Sequence, residues 1–82
     1  MERFNLYGIQ NGKLKHDVHL QAGINKSNID YLLRNYYYRN EAQLFLQKIQ
    51  LTLSPTQPFD SLIITRYFAD DSTVVARFPQ SE

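Results

Sequence analysis

The chain has 82 residues with no cysteine and no tryptophan, nine lysines and arginines against eight aspartates and glutamates, and a composition 43% hydrophobic and 13% aromatic. Such a chain is expected to form one small domain, 1–82, that buries only somewhat more than ~60% of its unfolded surface, leaving little room for an elaborate interior site. The lack of cysteine excludes disulfide frameworks, thiolate metal sites and cysteine nucleophiles, and no apolar run approaches the ~20 residues of a membrane span.

Met1-Glu2-Arg3-Phe4-Asn5 lacks the basic-then-apolar order of a signal peptide, so a cytoplasmic protein without a membrane partner is expected. The net charge of +1 is unevenly distributed. Residues 1–48 hold seven Lys and Arg against four Asp and Glu, a +3 half, and residues 49–82 hold two against four, a −2 half. A dipole of this size is ordinary for a domain.

The first twenty-two residues read as a β-hairpin around Asn11-Gly12. A two-residue turn pairs Gln10 with Lys13 and splits the apolar residues between two faces. A three-residue loop, with Gly12 left-handed in a bulge, pairs Ile9 with Lys13 and Gly8 with Leu14. Phe4, Leu6, Leu14, His16, Val18 and Leu20 then share one face, so this second register is expected. In that register Gly12 is expected at positive φ.

A helix follows, with Ser27 as N-cap and Asp30 three residues on as a capping-box partner. Its stripe is Ile29, Leu32, Leu33 and Tyr36. Ala42, Phe45, Leu46 and Ile49 repeat helical spacing, but their phase is shifted by about half a turn. A break at Arg39-Asn40, with Asn40 and Gln43 as a new capping box, would turn both stripes to one core. A continuous helix would leave the second stripe for a symmetry mate. The break is the preferred reading.

Ile49, Leu51 and Leu53 alternate with polar residues and suggest a short fifth strand before Pro55, and Ser54-Pro55-Thr56-Gln57-Pro58 reads as a rigid extended connection. Residues 62–68 and 73–78 are β-branched and aromatic runs around Ala69-Asp70-Asp71-Ser72, a second hairpin. Leu62-Ile63-Ile64 is apolar on both faces and belongs inside the sheet. The expected fold is α+β: an antiparallel sheet of four strands, five if the segment before Pro55 joins it, in the order β-β-α-(α)-β-β with helix packed on one face.

Three residue groups could carry function. His16-Asp17-Val18-His19 suggests a metal site, but on a strand residues three apart face opposite ways and cannot share an ion. On the outer face of the expected hairpin, Arg3, Tyr7, Lys13, Lys15, Asp17 and His19 make a polar strip, of the residue types that small metal-independent ribonucleases use on phosphate. The same types occur on any solvated sheet face. Tyr31, Tyr36, Tyr37 and Tyr38 with Arg34 and Arg39 concentrate the aromatic and cationic groups found at protein interfaces. No glycine-rich phosphate loop or nucleophile elbow is present, and Asn25-Lys26-Ser27 reads as turn and cap rather than as a glycosylation site.

The leading expectation is a small non-enzymatic binding or regulatory protein, without cofactor or metal, docking on a larger protein or on a second copy of itself. Tyr37, Tyr38, Arg34, Arg39 and the second stripe with Phe45 and Leu46 are the expected contact residues. The alternative is a nucleic-acid-binding module using Arg3, Tyr7, Lys13, Lys15 and His19, and the third reading is a ribonuclease-like toxin centred on His19.

Overall fold

A computed structural model of the chain describes residues 1–53 and 59–79. Its elements are β1 (Arg3–Gln10), β2 (Lys13–Lys15), α1 (Val18–Gln21), α2 (Lys26–Tyr38), α3 (Ala42–Leu53), β3 (Ser61–Phe68) and β4 (Asp71–Phe78). The four strands form one antiparallel sheet in the order β2-β1-β3-β4. The long apolar strand β3 is interior, as its sequence requires, with Leu62, Ile63, Ile64 and Thr65 all buried. Among the described residues no helix is long and apolar enough to cross a membrane. The proline-containing stretch 54–58 lies outside the described residues.

The first hairpin takes the register rejected on its apolar pattern. Gln10 pairs with Lys13, Ile9 with Leu14 and Gly8 with Lys15. Asn11 at φ 54° and Gly12 at φ 78° both occupy the left-handed region, the two-residue turn whose twist matches the strands. The three-residue loop was favoured by treating residues 13–20 as one strand, but β2 stops at Lys15. Residues 18–21 are helical, and Val18 reaches the core as a helix residue. Leu14 and Leu20, expected inside, are exposed.

Gly8 shows why the chain leaves the sheet there. A Cβ on Gly8 would stand 2.6 Å from the Phe59 ring and 3.1 Å from a Val18 methyl. The bare backbone of Gly8 lets α1 and Phe59 close over β1.

Helix α2 starts two residues earlier than expected. Asn25, in extended conformation, is the N-cap, and the Asn28 N–H bonds the Asn25 carbonyl. Ser27 is inside the helix. Asp30 does not serve a capping box, because its carboxylate accepts the Phe4 N–H at 2.7 Å and pairs with Arg34 at 2.9 Å.

The break at Arg39-Asn40 is present. Asn40, at φ 60°, follows the Arg39 C-cap, with Asn40 N–H bonded to the Tyr37 carbonyl and Glu41 N–H to the Tyr36 carbonyl. This is a Schellman ending with Asn in place of the usual glycine. Asn40 therefore ends α2 rather than capping α3, and Gln43 bonds the main chain of Arg77 instead.

The turn swings both stripes onto the inner face of the sheet. Ile29 and Leu33 of α2, then Ala42, Phe45, Leu46, Ile49 and Leu53 of α3, pack with Phe4, Leu6, Leu62, Ile64 and Ala76. Helix α3 runs through the segment read as a fifth strand. Ile49 and Leu53 are one helical turn apart and buried, whereas Leu51 between them is 76% exposed, so the period there is helical. A bulge at Val75 breaks the β3–β4 register between Ile64↔Ala76 and Thr65↔Val74.

Candidate functional site

The Tyr and Arg cluster is tied up within the chain itself. The Tyr38 hydroxyl, on a ring 63% exposed, donates to the Glu2 carboxylate at 2.7–2.8 Å, and the Arg66 guanidinium pairs with the same carboxylate. Arg34 donates to the Glu2 carbonyl at 2.9 Å and pairs with Asp30. Tyr37 packs its ring 5.2 Å from Phe4, and Tyr36 lies 4.8 Å from Phe45. Arg39 spans Glu41 at 3.0 Å and the face of Tyr36 at 4.9 Å, while Tyr31 is exposed. Phe45 and Leu46 sit in the core, 5% and 0% exposed, and offer no contact surface. Tyr38, Arg34 and Arg66 together clamp the N-terminus to α2 and β3 through Glu2.

That clamp titrates in a defined direction. The Tyr38 hydrogen bond, aided by Arg66 and Arg34 and opposed by desolvation, holds the Glu2 carboxyl below its ordinary value of 4.5. The same bond raises the Tyr38 hydroxyl, and Glu2 raises Arg66. A depressed carboxyl contributes stability above its unfolded value and loses it as pH falls through the folded one. Glu2→Gln is therefore expected to lower the urea midpoint near neutrality, with the gap to wild type narrowing as pH drops below 4.5. A constant gap across pH would contradict the clamp.

The polar strip of the first hairpin dissolves in the observed register. Arg3 and Tyr7 stand on the outer sheet face, away from the helices, but Lys13 and Lys15 pair with Gln10 and Gly8 and so belong to the opposite face. His19 is on α1, 7% exposed, with its Nε2 buried and without a hydrogen-bond partner among the described residues. His16 lies beside Tyr7, ring centroids 6.2 Å apart. The strand argument for separating the two histidines does not apply, since neither is on a strand. Among the described residues no three His, Asp or Glu side chains converge as metal ligands.

The departure of the chain after Lys15 leaves a groove. β1 pairs with β3 over residues 3–9 but with β2 only over 8–10, so from Arg3 to Tyr7 one edge of β1 has no strand beside it among the described residues. A groove of about 620 Å³ runs along that edge. Arg3–Leu6 form its floor, His16, Asp17, His19 and Leu20 one wall, and Lys26, Ile29 and Asp30 the other. The volume is within the range of sites that hold a small ligand or peptide segment. Leu20 is 56% exposed, an apolar side chain at the rim.

The groove carries both charges, unequally engaged. Asp17 accepts from the Gln21 side chain at 3.0 Å, and Asp30 serves Phe4 and Arg34. Arg3 and Lys26 have no carboxylate or aromatic partner among the described residues.

Leu20, Lys26 and Asp30 were missed as site residues because a strand through residues 16–20 would have filled the place the groove occupies. On the outer face, Tyr67 and Arg77 were also missed, although alternation along the second hairpin places them there, with Arg77 opposite Ile63 and Ile63 opposite Tyr7. Comparison of the chain with protein-family models, with curated protein sequences and with solved structures gives no match.

Proposed function

We propose that this is a small non-enzymatic binding protein that holds a segment of a larger protein in the groove along Arg3–Leu6. One observation carries the reading: an interior strand of the sheet is left with an open edge over Arg3–Tyr7, and the chain builds walls around that edge instead of covering it. Open strand edges are pairing sites that proteins ordinarily shield. On the β4 edge Arg77 is met by a side chain in this way, the Gln43 amide donating to its carbonyl and accepting its N–H.

Selection of a random-peptide display library against the full chain tests the reading, with the site mapped by amide chemical shifts. Binders are expected to shift Arg3–Leu6, His16–Leu20 and Lys26–Asp30. Leu20→Asp is expected to abolish binding with little change in stability, because Leu20 is largely exposed. A library that yields no binder, or binders that map elsewhere, overturns it.

A second reading uses the outer sheet face. By register this face carries Arg3, Tyr7, Tyr67 and Arg77, with Ile63 and Thr65 between them and no carboxylate on its strands. Aromatic rings and arginines on a sheet suit a single-stranded nucleic acid. The reading keeps Arg3 and Tyr7 from the sequence-based set and gives up Lys13, Lys15 and His19. It requires anisotropy of a labelled single-stranded oligonucleotide to rise at low salt and to fall steeply as salt increases. An unchanged anisotropy at low salt removes it.

A further inference from the structure

We infer that the partner segment enters the groove as an added β-strand, a run of three or four extended residues with an apolar side chain toward α1 and α2 and a carboxylate next to it. This rests on the docking reading above and names the occupant. The edge of β1 already shows what it accepts. Asp30 receives the Phe4 N–H at 2.7 Å, in the place where a neighbouring strand would present a carbonyl. Main-chain groups alternate along a strand, so those of Leu6 point to the same side as those of Phe4, toward the groove. No strand meets them among the described residues. The Phe4 N–H is already taken by Asp30, so an incoming extended chain pairs with the Phe4 carbonyl and with the Leu6 N–H and carbonyl, in register with β2, whose last pair is Gly8↔Lys15.

Length and chemistry of the occupant follow from the walls. The open stretch from Phe4 to Tyr7 is about 13 Å long at ~3.3 Å per residue, which limits the added strand to three or four residues. Alternate side chains of that strand face the helix side, where Leu20 and Ile29 offer apolar surface. Asp30 is neutralised by Arg34, whereas Asp17 accepts only from the neutral Gln21 amide, so Arg3 and Lys26 against Asp17 leave a net positive charge to complement. An acidic residue next to the apolar one faces the outer side of the sheet, where Arg3 stands.

The experiment uses peptides selected on the full chain, resynthesised with single backbone N-methyl groups. Strand addition predicts an alternating pattern: N-methylation at positions whose N–H meets β1 weakens binding about five- to tenfold, and at the intervening positions has little effect. The Leu6 amide is expected to gain hydrogen-exchange protection in the complex. Replacing the peptide's Asp or Glu by the amide, or Arg3→Glu in the protein, is expected to weaken binding several-fold. Groove binding with no alternation and no protection of Leu6 overturns strand addition while leaving docking in place. Loss of groove binding altogether overturns both. Concentration-dependent dimerisation abolished by Leu20→Asp assigns the groove to a second copy of the chain and overturns the partner proposed.

Discussion

Leu46→Ala is expected to lower the unfolding free energy by about 2–5 kcal/mol, the range for emptying a leucine site in a packed core. Leu46 is 0% exposed and sits among Phe45, Ile49 and the inner face of the sheet. A domain of this length has a total stability of roughly 4–12 kcal/mol, so one truncation removes a large part of it. At ~4–8 °C per kcal/mol for a small domain, the midpoint should fall by on the order of 10 °C or more. Urea and thermal unfolding followed by circular dichroism measure the loss. The experiment also decides what the second stripe is for. A core residue costs stability in the monomer, whereas an interface residue changes association with little effect on unfolding. A variant that unfolds like wild type but sediments differently would return Leu46 to the surface.

Gly8→Ala is the second large effect, and two opposed terms decide its sign. Glycine in a strand interior costs roughly 0.5–1 kcal/mol relative to alanine through its extra freedom in the unfolded chain, which by itself would make the alanine variant more stable. The new Cβ, however, would lie 2.6 and 2.9 Å from two atoms of the Phe59 ring and 3.1 Å from Val18. Phe59 is 6% exposed and Val18 0%, so neither has open space to move into. Overpacking of this kind costs about 1–3 kcal/mol, and the clash wins. The expected result is a net loss of stability that Phe59→Leu partly restores in the double variant, a coupling that additivity of independent sites would not produce. If Gly8→Ala stabilised the protein instead, α1 would not close over β1 as described. The groove beside α1 would then have a different shape.

How much could be read beforehand depended on how local the cause was. The second hairpin was legible because Leu62–Phe68 and Thr73–Phe78 are rich in β-branched and aromatic residues. The helix break was legible from the phase of two stripes, though its chemistry was not. A Schellman ending on Asn40 and a capping box starting at Asn40 leave similar traces in sequence, and only the left-handed φ of Asn40 separates them. Ile49-Leu51-Leu53 failed for a related reason. Three apolar residues two apart also contain a helical i, i+4 pair, and burial of Ile49 and Leu53 without Leu51 reveals which period is real. The candidate groove was not legible at all. Val18 and Leu20 alternate as strand residues do, yet Val18 is buried by Gly8 and Phe59 from distant parts of the chain, and Leu20 faces the groove.

By itself, then, the sequence determined which segments have the capacity to be strand or helix, that the strand carrying Leu62-Ile63-Ile64 is interior, and that Gly12 and the Arg39-Asn40 junction must turn. These follow from backbone preference and from hydrophobic period, both of which act over a few residues. Only the tertiary structure decided that β2 ends after three residues, that Glu2, Tyr38 and Arg66 form a clamp, and that one edge of β1 stays open. Each of these depends on groups from far along the chain meeting at one place: Asp30 on the Phe4 N–H, Phe59 over Gly8, Gln43 on Arg77. A sheet edge is exposed or covered according to what lies next to it in space, and no local pattern records that.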